Sequence, residues 1–423
     1  MKSANELFEL INKCPSPYHT VSSVKSELLA SGYTELFENE AWTLFVGGKY
    51  FVVRGGTSII AFKYNPDANG FMAVASHSDS PSFKLKVTPE TVGAYSRLEV
   101  EKYGGMIYYS WFDRPLSLAG RVVLRTDDGI ETRIVNIDRD LAVIPSVAIH
   151  MNRSINDGYK FNPAQDLLPL VGSSESRGDV MRSVADSLGV SVDSIAAHDL
   201  YLYNREHGRV FGVNNEFILS PRLDNLECVY ASLKAFLSAG DSDSVQVFCA
   251  FDNEEVGSET KQGAASTFFY DTLSRIAGDK LLPMLKESFM VSADNAHAKH
   301  PNHPELADAD NAPLLNGGIV IKWNANQRYT TDGVSAAVFQ TLCERCGAKT
   351  QTFYTRADML SGSTLGSISN TKVSVCSVDI GLAQLAMHSA SEVAGAYDVC
   401  EMVKALTELY NTSLTVNGDK ILF

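Results

Sequence analysis

The run VQVFCAF, Val245 to Phe251, leads into FDNEEVGSET, so an apolar stretch rich in β-branched and aromatic residues stops at the adjacent carboxylates Glu254 and Glu255. Such a run reads as a buried strand that delivers the doublet at its carboxyl end. Strand carboxyl ends are where ligands bind in open α/β sheets. Two neighbouring carboxylates repel each other when both are ionised. The doublet is therefore either solvated surface charge, the common fate of Glu-Glu pairs, or it faces a positive partner.

The rest of the chain supports an α/β fold with one interruption. Residues up to about 35 have helical spacing (Leu7, Leu10, Ile11, then Val21, Val24, Leu28, Leu29), and the strand-like runs YFVVRG, SIIAFKY and FMAVAS follow, the last ending at residue 76. From about residue 87 the pattern becomes alternating, as in SRLEVEKY, and VVLRTDDGIETRIV carries a hairpin signal at Asp128-Gly129. An amphipathic stretch from Val180 to Ile195 reads as a helix. Strand and helix alternate again from about 216: EFILS and a helix from Leu226, VQVFCAF and a helix, SFMVS, GIVIKW, VSVCSVDI, and a last helix from about Val393 to Tyr410. The ordering predicts an α/β domain with a central mixed sheet flanked by helices, formed by 1–86 and 216–423 and split by a β-rich insertion at 87–215.

Composition narrows the function classes. The chain has 423 residues, 45% hydrophobic and 20% charged, with 50 Asp+Glu against 36 Lys+Arg, for a net charge of −14. That balance argues against nucleic acid or an anionic membrane as a main partner. MKSANELFELINKCPSPYHTV lacks the basic start and long apolar core of a signal peptide, and no window suggests a membrane span. Seven cysteines in mostly apolar contexts fit reduced thiols, which together predicts a cytoplasmic protein. Cys343 and Cys346 form a single CxxC, which reads as helix packing. The Gly-Gly pairs at 47, 55, 104 and 317 lack dinucleotide-binding spacing.

The other strand ends supply candidate partners for the doublet. FMAVAS ends at His77-Ser78-Asp79, EFILS leads to Asp224, SFMVS leads to Asp294, and VSVCSVDI is followed shortly by His388. Singly, His77 reads as an interior histidine, Asp224 and Asp294 as helix caps, and His388 as a helix residue at a domain edge. Jointly, His77, Asp224, Glu255, Asp294 and His388 on one rim would be frustrated without a cation, because unpaired buried carboxylates cost several kcal/mol each. Two imidazoles and three carboxylates with no thiolate suit zinc, manganese or cobalt. In a two-metal site one carboxylate bridges ions about 3.5–4 Å apart, and a water or hydroxide between them is the nucleophile. With Glu255 on a metal, Glu254 is left as general base, and Asp79 would orient the His77 imidazole.

ASHSDSPSFKLK, NNEFILSPRLDNL, FDNEEVGSET, SADNAHAKHPN, IKWNANQRYTTD and LAMHSASEV, in this order over essentially the whole chain, resemble the M18 family of metalloaminopeptidases, the aspartyl aminopeptidase group. The resemblance implies two divalent ions per subunit, zinc first with manganese or cobalt as alternatives. Asp224 would bridge them, His77 and Asp294 would complete one site, and Glu255 and His388 the other. It also implies peptide substrates with a free N-terminus, a β-rich domain for dimer contacts, and dimers assembling into a dodecamer. His150, in PSVAIHMNR, would reach a neighbouring subunit's site, although its own context reads as an ordinary strand residue. Lys322 would select an acidic first residue, with His297 and Tyr329 as further substrate contacts. The plain reading of Lys322 is a strand lysine whose stem packs and whose amine reaches water. A shorter YLYNREHGRVFGVNNEF before the Asp224 motif departs from eukaryotic relatives and leaves pocket shape open. Two other readings stand beside acidic-residue removal: a broad or neutral preference, and a self-assembling scaffold with an idle site.

Overall fold

The computed structural model describes residues 2–423. A nine-stranded sheet forms its centre, in the order Thr34–Leu36, Lys49–Arg54, Ser58–Lys63, Val245–Phe251, Phe71–His77, Phe289–Ala293, Cys376–Gly381, Ile319–Trp323, Thr350–Tyr354. The four strands Val245–Phe251, Phe71–His77, Phe289–Ala293 and Cys376–Gly381 run parallel to one another, while antiparallel pairings flank them, so the sheet is mixed. Every residue of Val245–Phe251, Phe71–His77 and Phe289–Ala293 is buried. Their near-continuous apolar runs are what a strand covered on both faces requires.

Helices supply the two covers. Leu223–Ser238, Gly333–Cys346 and Asp398–Tyr410 pack on one face through Leu226, Phe236, Phe339, Leu406 and Tyr410. Phe268–Ala277 and Leu281–Lys286 pack on the other through Phe268, Leu273 and Met284. Burying side chains of this size stabilises the fold by about 1.5–3 kcal/mol each. Register then fixes the functional rim, since Phe251 lies opposite His77 and Ser292 opposite Ala75.

Two smaller sheets meet this rim. A six-stranded antiparallel sheet is built from strands between Ser82 and Asn204, with its own core around Phe83, Leu98, Trp111 and Leu200. A five-stranded sheet combines Arg209–Phe211, Phe217–Ser220, Glu392–Gly395, Ala383–Leu385 and Ala296–His297.

Two helices differ from the sequence expectation. The helix expected over Val180–Ile195 spans Asp179–Leu188, because Gly189 takes a left-handed cap at φ 65° and Ile195 opens a strand. The last helix begins at Asp398 rather than Val393, because Glu392–Gly395 pairs with Phe217–Ser220 and continues the five-stranded sheet. The expected hairpin joins Leu116–Thr126 to Gly129–Asn136, but its turn is Asp127-Asp128, one residue before the expected Asp128-Gly129, because Gly129 already pairs with Thr126. All seven cysteines are free, Cys343 and Cys346 among them on the Gly333–Cys346 helix. No helix among the described residues is long and apolar enough to cross a membrane.

Candidate metal centre

The candidate residues converge from three kinds of local structure. His77 is the last residue of its strand and Asp294 directly follows Phe289–Ala293, so both are carried by the parallel block of the central sheet. Glu254 and Glu255 sit in the one-turn 3-10 helix Glu254–Val256, opened by Asn253 and closed by Gly257, both in left-handed geometry. Asp224 and His388 come from the five-stranded sheet instead. Asp224 opens the Leu223–Ser238 helix with non-helical dihedrals and a cis peptide to Asn225. His388 lies in the turn between Ala383–Leu385 and Glu392–Gly395 at φ 65°, and not in a helix.

Asp224 is central in the geometry. Its Oδ1 lies 3.3 Å from His77 Nε2, which is itself 3.5 Å from Asp294 Oδ1. Its Oδ2 lies 3.5 Å from His388 Nε2, and that nitrogen is 3.5 Å from Glu255 Oε2. Donor atoms of His77, Asp224 and Asp294 therefore lie within 4.8 Å of one another, as do those of Asp224, Glu255 and His388. A third such group joins His77, Glu254 and Glu255. Glu254 Oε2 is 4.0 Å from His77 Nε2.

These side chains push one another off their ordinary protonation states. Burial drives the Glu254 carboxyl up to about 8, with Asp294, Asp79 and Asp224 adding to the rise against the opposing pull of His77. Burial likewise drives Glu255 well up. Burial alone would lower the His388 imidazole, but Asp224 and Glu255 outweigh it and lift it to about 10. Asp224 moves the other way: the two imidazoles overcome its burial and hold it below the usual carboxylate range. Its buried Oδ1 still accepts no hydrogen bond of acceptable geometry. A buried acceptor in that condition, facing imidazole and carboxylate donors with no thiolate, fits a divalent cation of the zinc, manganese or cobalt type.

The surrounding contacts hold this donor set in place. His77 Nδ1 donates to the main-chain oxygen of Asp79 at 3.1 Å and lies 3.4 Å from its Oδ1, which turns Nε2 toward the cluster. The Asp79 carboxylate accepts from the backbone N–H groups of Glu254 and Glu255, both at 3.2 Å. Asp79 thus touches His77 and the doublet together. Sequence reasoning missed Glu392, a buried carboxylate that accepts from the N–H of Asp224 at 3.0 Å and of His388 at 2.7 Å. It also missed Asn225, whose side-chain amide donates to Ala293 O, and Asn295, whose amide donates to Leu223 O, so that the segments carrying Asp224 and Asp294 are tied to each other. The one available signal was polarity inside apolar context, as in ASEVAGAY.

Lys322 is 2% exposed, with Nζ 3.6 Å from Asp294 Oδ2 and 5.4 Å above the Tyr329 ring. Its amine does not reach bulk water. Burial lowers its pKa, but Asp294 and Tyr329 outweigh that and keep it charged. Tyr329 and the exposed His297 both lie 6.3 Å from the Phe353 ring, so the three expected substrate contacts share one wall. Asp379, also unforeseen, seats the loop after Tyr329 by accepting from Thr330 and Thr364. His150 is exposed in a turn, and no hydrogen bond or ion pair joins it to the cluster.

A carboxylate–histidine cluster at the rim of an α/β sheet is the site of a metallohydrolase class, and whole-chain comparisons narrow that class. The chain belongs to the M18 family: the family model described as "Aminopeptidase I zinc metalloprotease (M18)" matches residues 10–410. It is 43% identical to the "Probable M18 family aminopeptidase 2" of Clostridium acetobutylicum, over 97% of this chain and 99% of that protein. The corresponding protein of Pseudomonas paraeruginosa is 39% identical over 96% and 97%. Among solved structures, the Ape4 and Nbr1 complex aligns at a TM-score of 0.93 and 34% identity, covering 97% of this chain and 85% of that one. The S. cerevisiae mApe1 dodecamer aligns at 0.85 and 27%, covering 96% of each. The protein is an M18 aminopeptidase, a metal-dependent hydrolase acting on peptides.

Proposed function

We propose that the protein removes N-terminal residues, Asp or Glu by preference, with two divalent cations per chain, zinc first and manganese or cobalt as alternatives. The observation that carries the reading is the division of Asp224, whose two carboxylate oxygens each face a separate imidazole. His77 and Asp294 would complete one site, Glu255 and His388 the other. Such a pair, when bound, supplies Lewis-acid polarisation of the scissile carbonyl and a water acidified enough to attack at neutral pH. Glu254 has the position of a general base: its Oε2, 4.0 Å from His77 Nε2, would take a proton from the attacking water and return it to the departing amine. Asp79 holds the His77 tautomer with Nε2 free to ligate.

Lys322 Nζ would pair with the carboxylate of an acidic first residue, with His297 and Tyr329 beside it. Its contact with Asp294 favours a second reading, a broad or neutral preference, because a cation already shared has less charge to offer. We further read 87–215 as a dimerisation domain, within which His150 approaches a neighbouring subunit's cleft. Exposed apolar side chains there, Ile130 at 72% and Met151 at 82%, support a covered surface in a homo-oligomer, and the yeast dodecamer is a precedent.

The test is hydrolysis of Asp-, Glu-, Leu- and Lys-p-nitroanilide by chelator-stripped protein, with zinc, manganese or cobalt restored singly. Metal-dependent cleavage of Asp and Glu alone is expected. Cleavage of Leu at comparable rates would replace the acidic preference with the broad one. In the variant Lys322→Met, the acidic reading expects rates on Asp and Glu to fall far more than on Leu.

A further inference from the structure

The wall opposite the central sheet is made by the six-stranded sheet. The strand Tyr95–Tyr103 ends at the cluster and continues into Gly104 and Gly105. Gly104 has φ 78°, and a Cβ there would stand 3.2 Å from Glu255 Cβ; one on Gly105 would approach His388 Nδ1 to 4.0 Å. Further on, the Ile107 N–H donates to His388 O at 3.0 Å, and Ser110 Oγ accepts from the Ala390 N–H at 2.9 Å. One segment of the smaller sheet therefore lies against Glu255 and cradles the turn that carries His388.

Tyr103 makes the deepest of these contacts. Its hydroxyl donates to Asp79 Oδ2 at 2.7 Å and accepts from Asn253 Nδ2 at 2.9 Å. Asn253 immediately precedes the doublet, and its Oδ1 accepts from Thr260 and Gln262. The Tyr103 ring packs edge-on against Tyr201, with centroids 5.4 Å apart, in a buried trio completed by Tyr18. That trio is where the opening helix pair meets the six-stranded sheet. We propose that Tyr103 is a positioning residue for the metal centre: by fixing the Asp79 carboxylate, it sets both the His77 ring and the Glu254-Glu255 turn. Metal retention and turnover then depend on how the six-stranded sheet is seated. The inference rests on the reading above that His77 ligates a cation and that Asp79 orients it.

Removal of one oxygen tests it. In Tyr103→Phe the ring stays in its aromatic trio, and zinc affinity, read by competition with a chromogenic chelator, is expected to fall about ten- to a hundredfold. The value of kcat falls with it and KM changes little. Tyr201→Phe loses a hydroxyl from the same trio without touching Asp79, so its zinc affinity and kcat should match the unmodified protein. Asp79→Asn separates the role of Tyr103 from that of Asp79. If it weakens zinc while Tyr103→Phe behaves like Tyr201→Phe, the role of Tyr103 is overturned and that of Asp79 stands. If Asp79→Asn itself keeps full zinc affinity, the underlying reading fails and the inference with it. Should Tyr103→Phe not fold, replacement of Tyr103 by 4-fluorophenylalanine fills the space of the hydroxyl without a donor for Asp79 Oδ2. A loss of zinc affinity there upholds the linkage, and unchanged affinity overturns it.

Discussion

The two halves of the centre share Asp224 but are built differently. In the inner half, His77 and Asp294 stand at the ends of parallel strands whose register is fixed by backbone pairing, Asp224 enters from the non-helical opening of the Leu223–Ser238 helix, and all three residues are buried. In the outer half, Glu255 sits in a single 3-10 turn and His388 in a left-handed turn with its side chain 33% exposed. The inner pair His77 and Asp294 is held by the sheet itself. The outer ones depend on loops that Glu392, Asp79 and the segment after Tyr103 must hold in place. On the proposed two-cation reading, the sheet-held donors would give one cation a rigid, closed seat and the turn-held donors would give the other an adaptable one, so the outer ion should exchange faster.

The largest effect is expected from the residue common to both halves. Asp224→Asn removes the shared charge, so both equivalents of metal should be lost after gel filtration and peptidase activity with them; metal content by mass spectrometry checks this. Glu254→Gln should lower kcat by about 10²–10⁴-fold while leaving metal content intact, whereas Glu255→Gln should lower metal content. Normal turnover in Glu254→Gln would remove it as the base.

The histidines break the symmetry. His388→Ala should release only the outer ion. His77→Ala should release the inner one and also destabilise the metal-free fold by about 3–5 kcal/mol, because buried Asp224 and Asp294 lose their positive neighbour. Denaturant unfolding of the metal-free variants compares the two. A smaller effect is a pH slope in the metal-free protein. The folded state holds the Asp252 carboxyl at about 7, those of Glu254 and Glu392 at about 8, and the His388 imidazole at about 10. All four lie above their unfolded values, so the folded chain binds extra protons between roughly pH 4 and 10, and stability should fall as pH rises through that window. Bound zinc should flatten the upper part of the slope, since His388 would ligate it as a neutral imidazole. Melting temperatures from pH 6 to 10, with and without zinc, measure it.

The inner half was the more legible in sequence for a physical reason. A strand with both faces covered leaves an unbroken apolar run, so its end, and the polar residue stationed there, can be read directly, as at FMAVASH and SFMVSAD. His388 and Asp224 lie beyond short strands of the five-stranded sheet, whose pairing partners are distant in the chain, which is why Glu392–Gly395 read as helix. Tyr103 and Gly104 left no sequence signal of their roles. Each acts through a contact between separate sheets, and no local periodicity encodes such a contact.

On the proposed reading, Asp224 is shared between two cation seats of unequal exposure. Calorimetric titration of zinc into metal-free protein tests it most directly. Two equivalents per chain are expected, the weaker of which disappears in His388→Ala while the tighter remains. A single equivalent in the unmodified protein, or two retained in His388→Ala, would contradict it.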